Sequence, residues 1–433
     1  MVLAFLLIAV SLSFASGDGE KGTAKGVVQI TVWDQFESEG TTAAGPAMEK
    51  LLVQFQKENP DVKVKRTLVP QSNIRDQLRI AVAGGTQPNL VYTWPAAAVL
   101  ASYAKDAHLL VLDQAAEKFG WLQNLPDLET KRNSYKGHLY AYPFEQDYML
   151  VYYNKDLFAK LGISVPQTYE EFLSNNEVIK KAGFTPIAFG NRGKWPATNT
   201  LSYLLALVAG KQRQEEVLFK DTPWTNDAYV EAATIFMDWV NKDFFPKGFN
   251  GIEFGEANSL FTMGKAAMNI TGTWIIKDMF RATGFQMGTF MLPQIKASLP
   301  KATMMGEGSQ WEVSAKGTAA EQEAAVRLLN FLMADANIGT WVKDGYVIPL
   351  RKGGLNWDPF TVPDGVKETF RMGDAMQSVN GYDLHTTVPE SVTETLYNNL
   401  QLMLDKRLTP PQFLQEMQKS WEKAKAAGEV WIP

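Results

Sequence analysis

The sequence predicts an α/β protein of two domains, or at most three. Three observations carry this reading. The 433 residues exceed one domain at roughly 100–200 residues each. A 45% hydrophobic share is ordinary for chains that bury full cores. Strand patterns alternate with amphipathic helix patterns along the first third, and again from Tyr148.

Each element follows from local pattern. Residues 27–33 (VVQITVW) are a β-branched strand. Met48, Leu51, Leu52 and Phe55 mark one face of a helix that stops at Asn59 and Pro60. Residues 62–69 form a second strand, opening on alternating Val and Lys. Ser72 stands at the N-cap of a helix bearing Ile74, Leu78 and Ala81, ended by Gly84 and Gly85. Residues 90–94 (LVYTW) are a short third strand. Strand starts at 27, 62 and 90 fit βαβ units with right-handed crossovers and a parallel sheet. A second such unit begins with residues 148–153 (YMLVYY), followed by a short helix opened by Asn154 and closed by Gly162. Thr168 and Glu171 have capping-box spacing ahead of a helix stopped by Gly183, and residues 185–190 are the next strand. Residues 266–272 and 285–293 read as further strands. Thr318 with Glu321 starts a helix carrying Val326, Leu329 and Leu332. Thr409 and Pro410 start another, with Phe413, Leu414, Met417 and Trp421 on one face.

Composition removes whole classes of function. A net charge of −5 argues against a nucleic-acid partner, which requires a basic face. Without cysteine there is no disulfide, thiolate metal site or thiol nucleophile. His108, His138 and His385 lie 30 and 247 positions apart, which is no zinc-site spacing. Gly190, Gly193 and Lys194 have the wrong spacing for a phosphate-binding loop, and Gly306 and Gly308 lack the third glycine of a dinucleotide fingerprint. No motif implies a cofactor. The 47 acidic residues leave a two-carboxylate glycosidase open. Residues 2–14 are an apolar run of secretory h-region length, although no Lys or Arg precedes it. Cleavage is expected after Ala15, with a flexible leader over 16–26. With no cysteine to carry a lipid, the mature protein is expected to be exported and unanchored.

Six segments then fall in order: GTQPNLVYTW (85–94), YKGHLYAYP (135–143), YYNKDLF (152–158), PQTYEEF (166–172), FTMGKAAM (261–268) and GTW (272–274). Together, over about residues 27–428, they resemble the family 1 extracellular solute-binding proteins, the maltose-binding-protein-like receptors of carbohydrate ABC transporters. The resemblance implies a two-lobed periplasmic binding protein fold with discontinuous α/β lobes joined by hinge crossings. The crossings fall at 142–145, 288–293 and 346–349. The N-terminal lobe is then 27–144 with 293–345, and the C-terminal lobe 145–292 with 346–433. A monomeric periplasmic receptor is implied, one that closes on a sugar or oligosaccharide and hands it to permease subunits in the inner membrane. A secreted carbohydrate-active enzyme and a receptor for a non-sugar solute are the alternatives.

A sugar presents apolar faces and a rim of hydroxyls, so its site combines aromatic rings with carboxylates and amides. In doubly wound lobes these groups sit beyond the carboxyl ends of strands. That rule selects Trp33, Asp34, Gln35 and Glu37 after the first strand and Thr93 and Trp94 after the third. It adds Gln146 and Asp147 after the first crossing, and Asn191, Arg192 and Trp195 after residues 185–190. The resemblance supports Glu37 and Asp147 as ligand-contacting carboxylates and Trp274 as a stacking aromatic, and it adds Glu307 and Gln310 from a glycine-containing loop. An acidic–basic pair that some members carry after Trp94 is replaced by PAAA (95–98). The ligand is therefore not expected to be held as in the maltodextrin receptors.

Overall fold

The computed structural model describes residues 26–36, 44–70, 73–94, 96–282, 284–376 and 380–431. The expected leader (apart from Gly26), Glu37 and Ser72 lie outside them. Strands β1 (Val28–Asp34), β2 (Val62–Leu68), β3 (Leu90–Thr93), β6 (Ala141–Pro143) and β12 (Gln310–Val313) make one sheet, ordered β2-β1-β3-β12-β6. Its first three strands are parallel, as their spacing predicts; β12 runs antiparallel to β3 and β6. A small hairpin pairs β4 (Ser134–Tyr135) with β5 (His138–Leu139). The second sheet, ordered β10-β7-β9-β8, holds β7 (Gln146–Asn154), β8 (Thr185–Ala188), β9 (Ala266–Gly272) and β10 (Met287–Phe290). Strand β11 (Met305–Glu307) pairs with the start of β7. β8 and β9 are parallel, but β7 and β10 are not. The expectation of a second parallel βαβ unit at Tyr148 is therefore corrected: β7 arrives directly from the first sheet and enters the second in the opposite sense.

Local chemistry accounts for the helix starts. Asn154 Oδ1 accepts the Leu157 amide at 2.9 Å, and Thr168 Oγ1 accepts the Glu171 amide at 3.1 Å. At Thr318 the capping box is complete: Thr318 Oγ1 accepts from the Glu321 amide at 3.3 Å, and Glu321 Oε2 accepts from the Thr318 amide at 2.6 Å. Thr318→Ala is expected to cost about 1 kcal/mol, read as a lower urea midpoint with an unchanged m-value. Ile74, Leu78 and Ala81 are the buried residues of helix Ile74–Ala83. Helix Trp195–Val208 was not legible, because it is buried on nearly all its faces. A helix apolar all round shows no periodic stripe.

Each sheet has its own core. Ile30, Leu51, Phe55, Leu90, Trp311 and Trp341 belong to the first, and Val151, Phe172, Leu204, Trp239, Met268 and Trp421 to the second. Three stretches of chain run side by side between the sheets. The Phe144 amide donates to Ser309 O at 2.8 Å and the Gly308 amide to Glu145 O at 2.9 Å. The Gln146 amide donates to Ile348 O at 3.0 Å, and the Leu350 amide to Phe144 O at 2.7 Å. The middle crossing therefore lies at Gly308 and Ser309, not at 288–293. Gly288 is held inside the second sheet opposite Tyr153, and a Cβ there would meet the Tyr153 ring. Leu292 and Met304 still pack in the second core, so residues 293–307 go with the second sheet rather than the first.

Candidate functional site

The strand directions bring chemistry to the crossings. β1, β3 and β6 end there, β7 and β12 begin there, and β9 ends beside the start of β7. Glu145, Asp147 and Glu312 are among the carboxylates buried at this seam. Tyr92 Oη donates to Glu145 Oε1 at 2.5 Å, Thr273 Oγ1 donates to Asp147 Oδ1 at 2.8 Å, and Gln310 Nε2 donates to Glu312 Oε1 at 2.6 Å. Burial pushes all three upward in pKa; the neighbouring Asp147 charge adds to the rise at Glu145, and Glu312 reaches about 7. Gly308 lets the crossing strand pass, since a Cβ there would collide with the Asp147 carboxylate.

Aromatic rings stand beside these acids. The Trp274 ring folds back over Gly272, where any Cβ would overlap it. Trp195 approaches Trp274 edge-on with centroids 5.9 Å apart and lies 4.6 Å from Phe254. Trp274 borders two cavities. One, of about 340 Å³, is polar, with Glu145, Gln146, Asp147, Thr273, Lys277 and Tyr346 in its wall. The other, of about 280 Å³, mixes apolar Met149, Phe189, Trp195 and Phe254 with polar Asn199, Asn258, Asn269 and Thr271.

The structure thus gathers Gln146, Asp147, Trp195 and Trp274 around two cavities that share the Trp274 ring as a wall. Thr93 and Gln310 face each other in register on adjacent strands at the seam, and Gln35 is buried just after β1. Glu307 contributes its backbone to β11, paired with Gln146. The structure places other expected residues away from these cavities. Trp33 and Trp94 pack in a side cluster with Val69, Ile74, Leu78 and Val91, and the Arg75 guanidinium lies 4.5 Å above the Trp94 ring. These two rings cover the helix after β2 instead of lining either cavity. Asp34 is held by Arg66 through two bonds of 2.7 and 2.8 Å. Asn191 is fully buried and works within its lobe: Nδ2 donates to Asn250 at 2.7 Å, and Oδ1 accepts the Ala197 amide at 3.1 Å.

Sequence reasoning missed Asn199, Phe254 and Lys277, and treated Glu145 only as part of a crossing. Asn199 lies four residues after Trp195, one turn along the same helix face. That spacing would have found it, had the helix been legible.

Comparison with known proteins settles the family. The model of the bacterial extracellular solute-binding proteins matches residues 50–365. The chain belongs to this family. A solute-binding relative from Bacillus subtilis, a galactooligosaccharide-binding protein, is 27% identical over 366 residues, covering 82% of this chain and 81% of its own. An uncharacterised ABC transporter extracellular-binding protein of Pyrococcus horikoshii is 25% identical over 300 residues. That match takes in 66% of each chain, just under two thirds of the relative's length. Among solved structures, a chitin oligosaccharide binding protein superposes with a TM-score of 0.81 at 24% identity, over 92% of this chain and 99% of its own. This likeness establishes the two-lobed α/β solute-binding fold. Among the described residues, no group of side chains is placed to hold a metal ion, and no helix is long and apolar enough to cross a membrane.

Proposed function

We propose that this solute-binding protein is a periplasmic receptor that closes on a sugar or oligosaccharide and delivers it, as a monomer, to the permease of an ABC importer. One observation carries the reading: the polar cavity sets Asp147, Gln146 and the Trp274 ring around one space beside the strands that join the lobes. Carboxylate and amide suit a rim of hydroxyls, and the indole suits an apolar sugar face. The Bacillus relative's name supports a saccharide ligand, and the Pyrococcus relative's an ABC transporter.

Micromolar affinity needs about −8.2 kcal/mol. Hydrogen bonds to charged groups supply roughly 1.5–3 kcal/mol each, so two or three of them with a stacked ring offset association losses of several kcal/mol. The cavity walls come from the second lobe and the crossings, and Thr93 and Gln310 stand across the seam on the first; a ligand that bridges both favours the closed arrangement by its differential affinity for it. Tryptophan fluorescence should change saturably when mono- and oligosaccharides are titrated in, and no product should form. Turnover above about 1 s⁻¹ would make the protein an enzyme and overturn the reading.

A further inference from the structure

The lobes also meet away from the crossings. Helix Asp127–Arg132 leads into the hairpin of β4 and β5 and so belongs to the first lobe. Opposite it, helix Leu384–Thr387 belongs to the second. Leu384 and Val388 pack in the second core, and the Leu384 amide donates to Ser202 Oγ at 3.1 Å. Arg132 spans the gap. Its guanidinium donates to Thr387 Oγ1 at 2.6 Å, lies 5.3 Å from the centre of the Tyr382 ring, and pairs with Glu129 of its own lobe at 3.3 Å. Arg132, Glu129 and Thr387 are all buried. The receiving side is fixed, with Thr387 Oγ1 donating to Asp383 O at 2.6 Å and the Tyr382 hydroxyl to Glu215 Oε1 at 2.8 Å. Leu128, one turn before Arg132, packs against the second core, and helix Ala97–Lys105 runs beside helix Leu384–Thr387.

We propose that Arg132 is a clasp that holds the two lobes together whether or not a solute is bound, and so gates entry to the seam. Both halves of the contact are side chains of this chain, so it needs no ligand. Gln146 and Asp147 are buried in this arrangement, so a solute reaches them only when the lobes part. Parting returns Arg132 and Glu129 to water together. Their ion pair therefore adds little to closure, because its desolvation offsets its attraction. Opening loses the charged hydrogen bond to Thr387 and the cation over the Tyr382 ring. The clasp rests on the two-lobed fold and not on the identity of the solute.

The test is the distance between two spin labels on the full chain, one on each lobe, measured without any solute. The chain has no cysteine, so Lys57→Cys and Lys419→Cys, both at exposed positions, carry the labels alone. One dominant distance is expected in this labelled parent. Thr387→Val removes the acceptor and should raise the ratio of parted to clasped lobes about tenfold. Arg132→Met with Glu129→Gln removes the clasp without leaving a charge unpaired, and should bring out a second, distinct distance. Thr387→Ser keeps the hydroxyl and should match the parent. A parent already spread over two distances overturns the proposal, and so does a distribution that stays unmoved in both clasp variants. Neither result bears on the saccharide reading, since no sugar enters the measurement.

Discussion

Trp274→Ala is expected to weaken saccharide binding about 100-fold or more, on the order of 3 kcal/mol. The reason is position. Trp274 borders both cavities, so its loss removes the stacking surface from both at once. The ring is only partly buried and packs at the edge of the cores, so the folded state should lose little. Circular dichroism and the melting temperature should therefore stay near wild type while calorimetry reports the affinity change. A second substitution reaches the same ring by another route. A side chain at Gly272 would occupy the space of the Trp274 indole, so Gly272→Val should displace the ring and lower affinity without touching its chemistry. If Trp274→Ala binds within about twofold of wild type, the site lies elsewhere, since anchoring residues rarely cost so little to truncate.

The second large effect is on stability against pH. Without ligand the protein should be most stable in mild acid and should lose stability as pH rises toward 7. Glu312 has an ordinary value of 4.5 and is raised by burial to about 7. Glu145 and Asp147 move the same way, burial again the largest cause. Between those limits the folded protein keeps protons that the unfolded chain has released. The folded state then binds more protons, so unfolding becomes easier with increasing pH. The stabilisation is complete below the unfolded value and is lost as pH passes the folded one. Glu312 alone accounts for on the order of 3 kcal/mol across its window. Calorimetric melting between about pH 5 and 8 should show the fall, and Glu312→Gln should flatten part of it. A wild-type melting temperature that climbs across this range would contradict the assignment. Asp34 is raised as well, because its burial outweighs the pull of Arg66, so it adds to the same slope.

Much of the fold was legible because it is written in short-range pattern. The strand patterns of β1, β2 and β3, the cap at Asn154 and the capping box at Thr318 all depend on neighbours within a few residues. The site was legible only in part. Gln146, Asp147 and Trp195 were selected because side chains just beyond strand ends meet at a crevice whatever the detailed packing, and Trp274 through the family resemblance. Trp33 and Trp94 satisfy the same rule, yet they pack beside the helix after β2. Strand alternation decides which face a residue takes, but not whether a later helix covers that face.

By itself, the sequence determined the α/β class, the first parallel sheet, the family and the presence of acids and tryptophans at strand ends. Propensity, capping and hydrophobic period act locally and gave the class and the elements; the family came from the resemblance of six ordered segments. The tertiary structure alone decided which groups share a space. It moved the middle crossing to Gly308 and Ser309, assigned Asn191 to Asn250, and put Asn199 in one cavity wall with Trp195 and Trp274. Those outcomes depend on contacts between residues far apart in the chain, such as Thr273 with Asp147 and Ile348 with Gln146. No local pattern encodes a contact whose partner lies more than a hundred residues away.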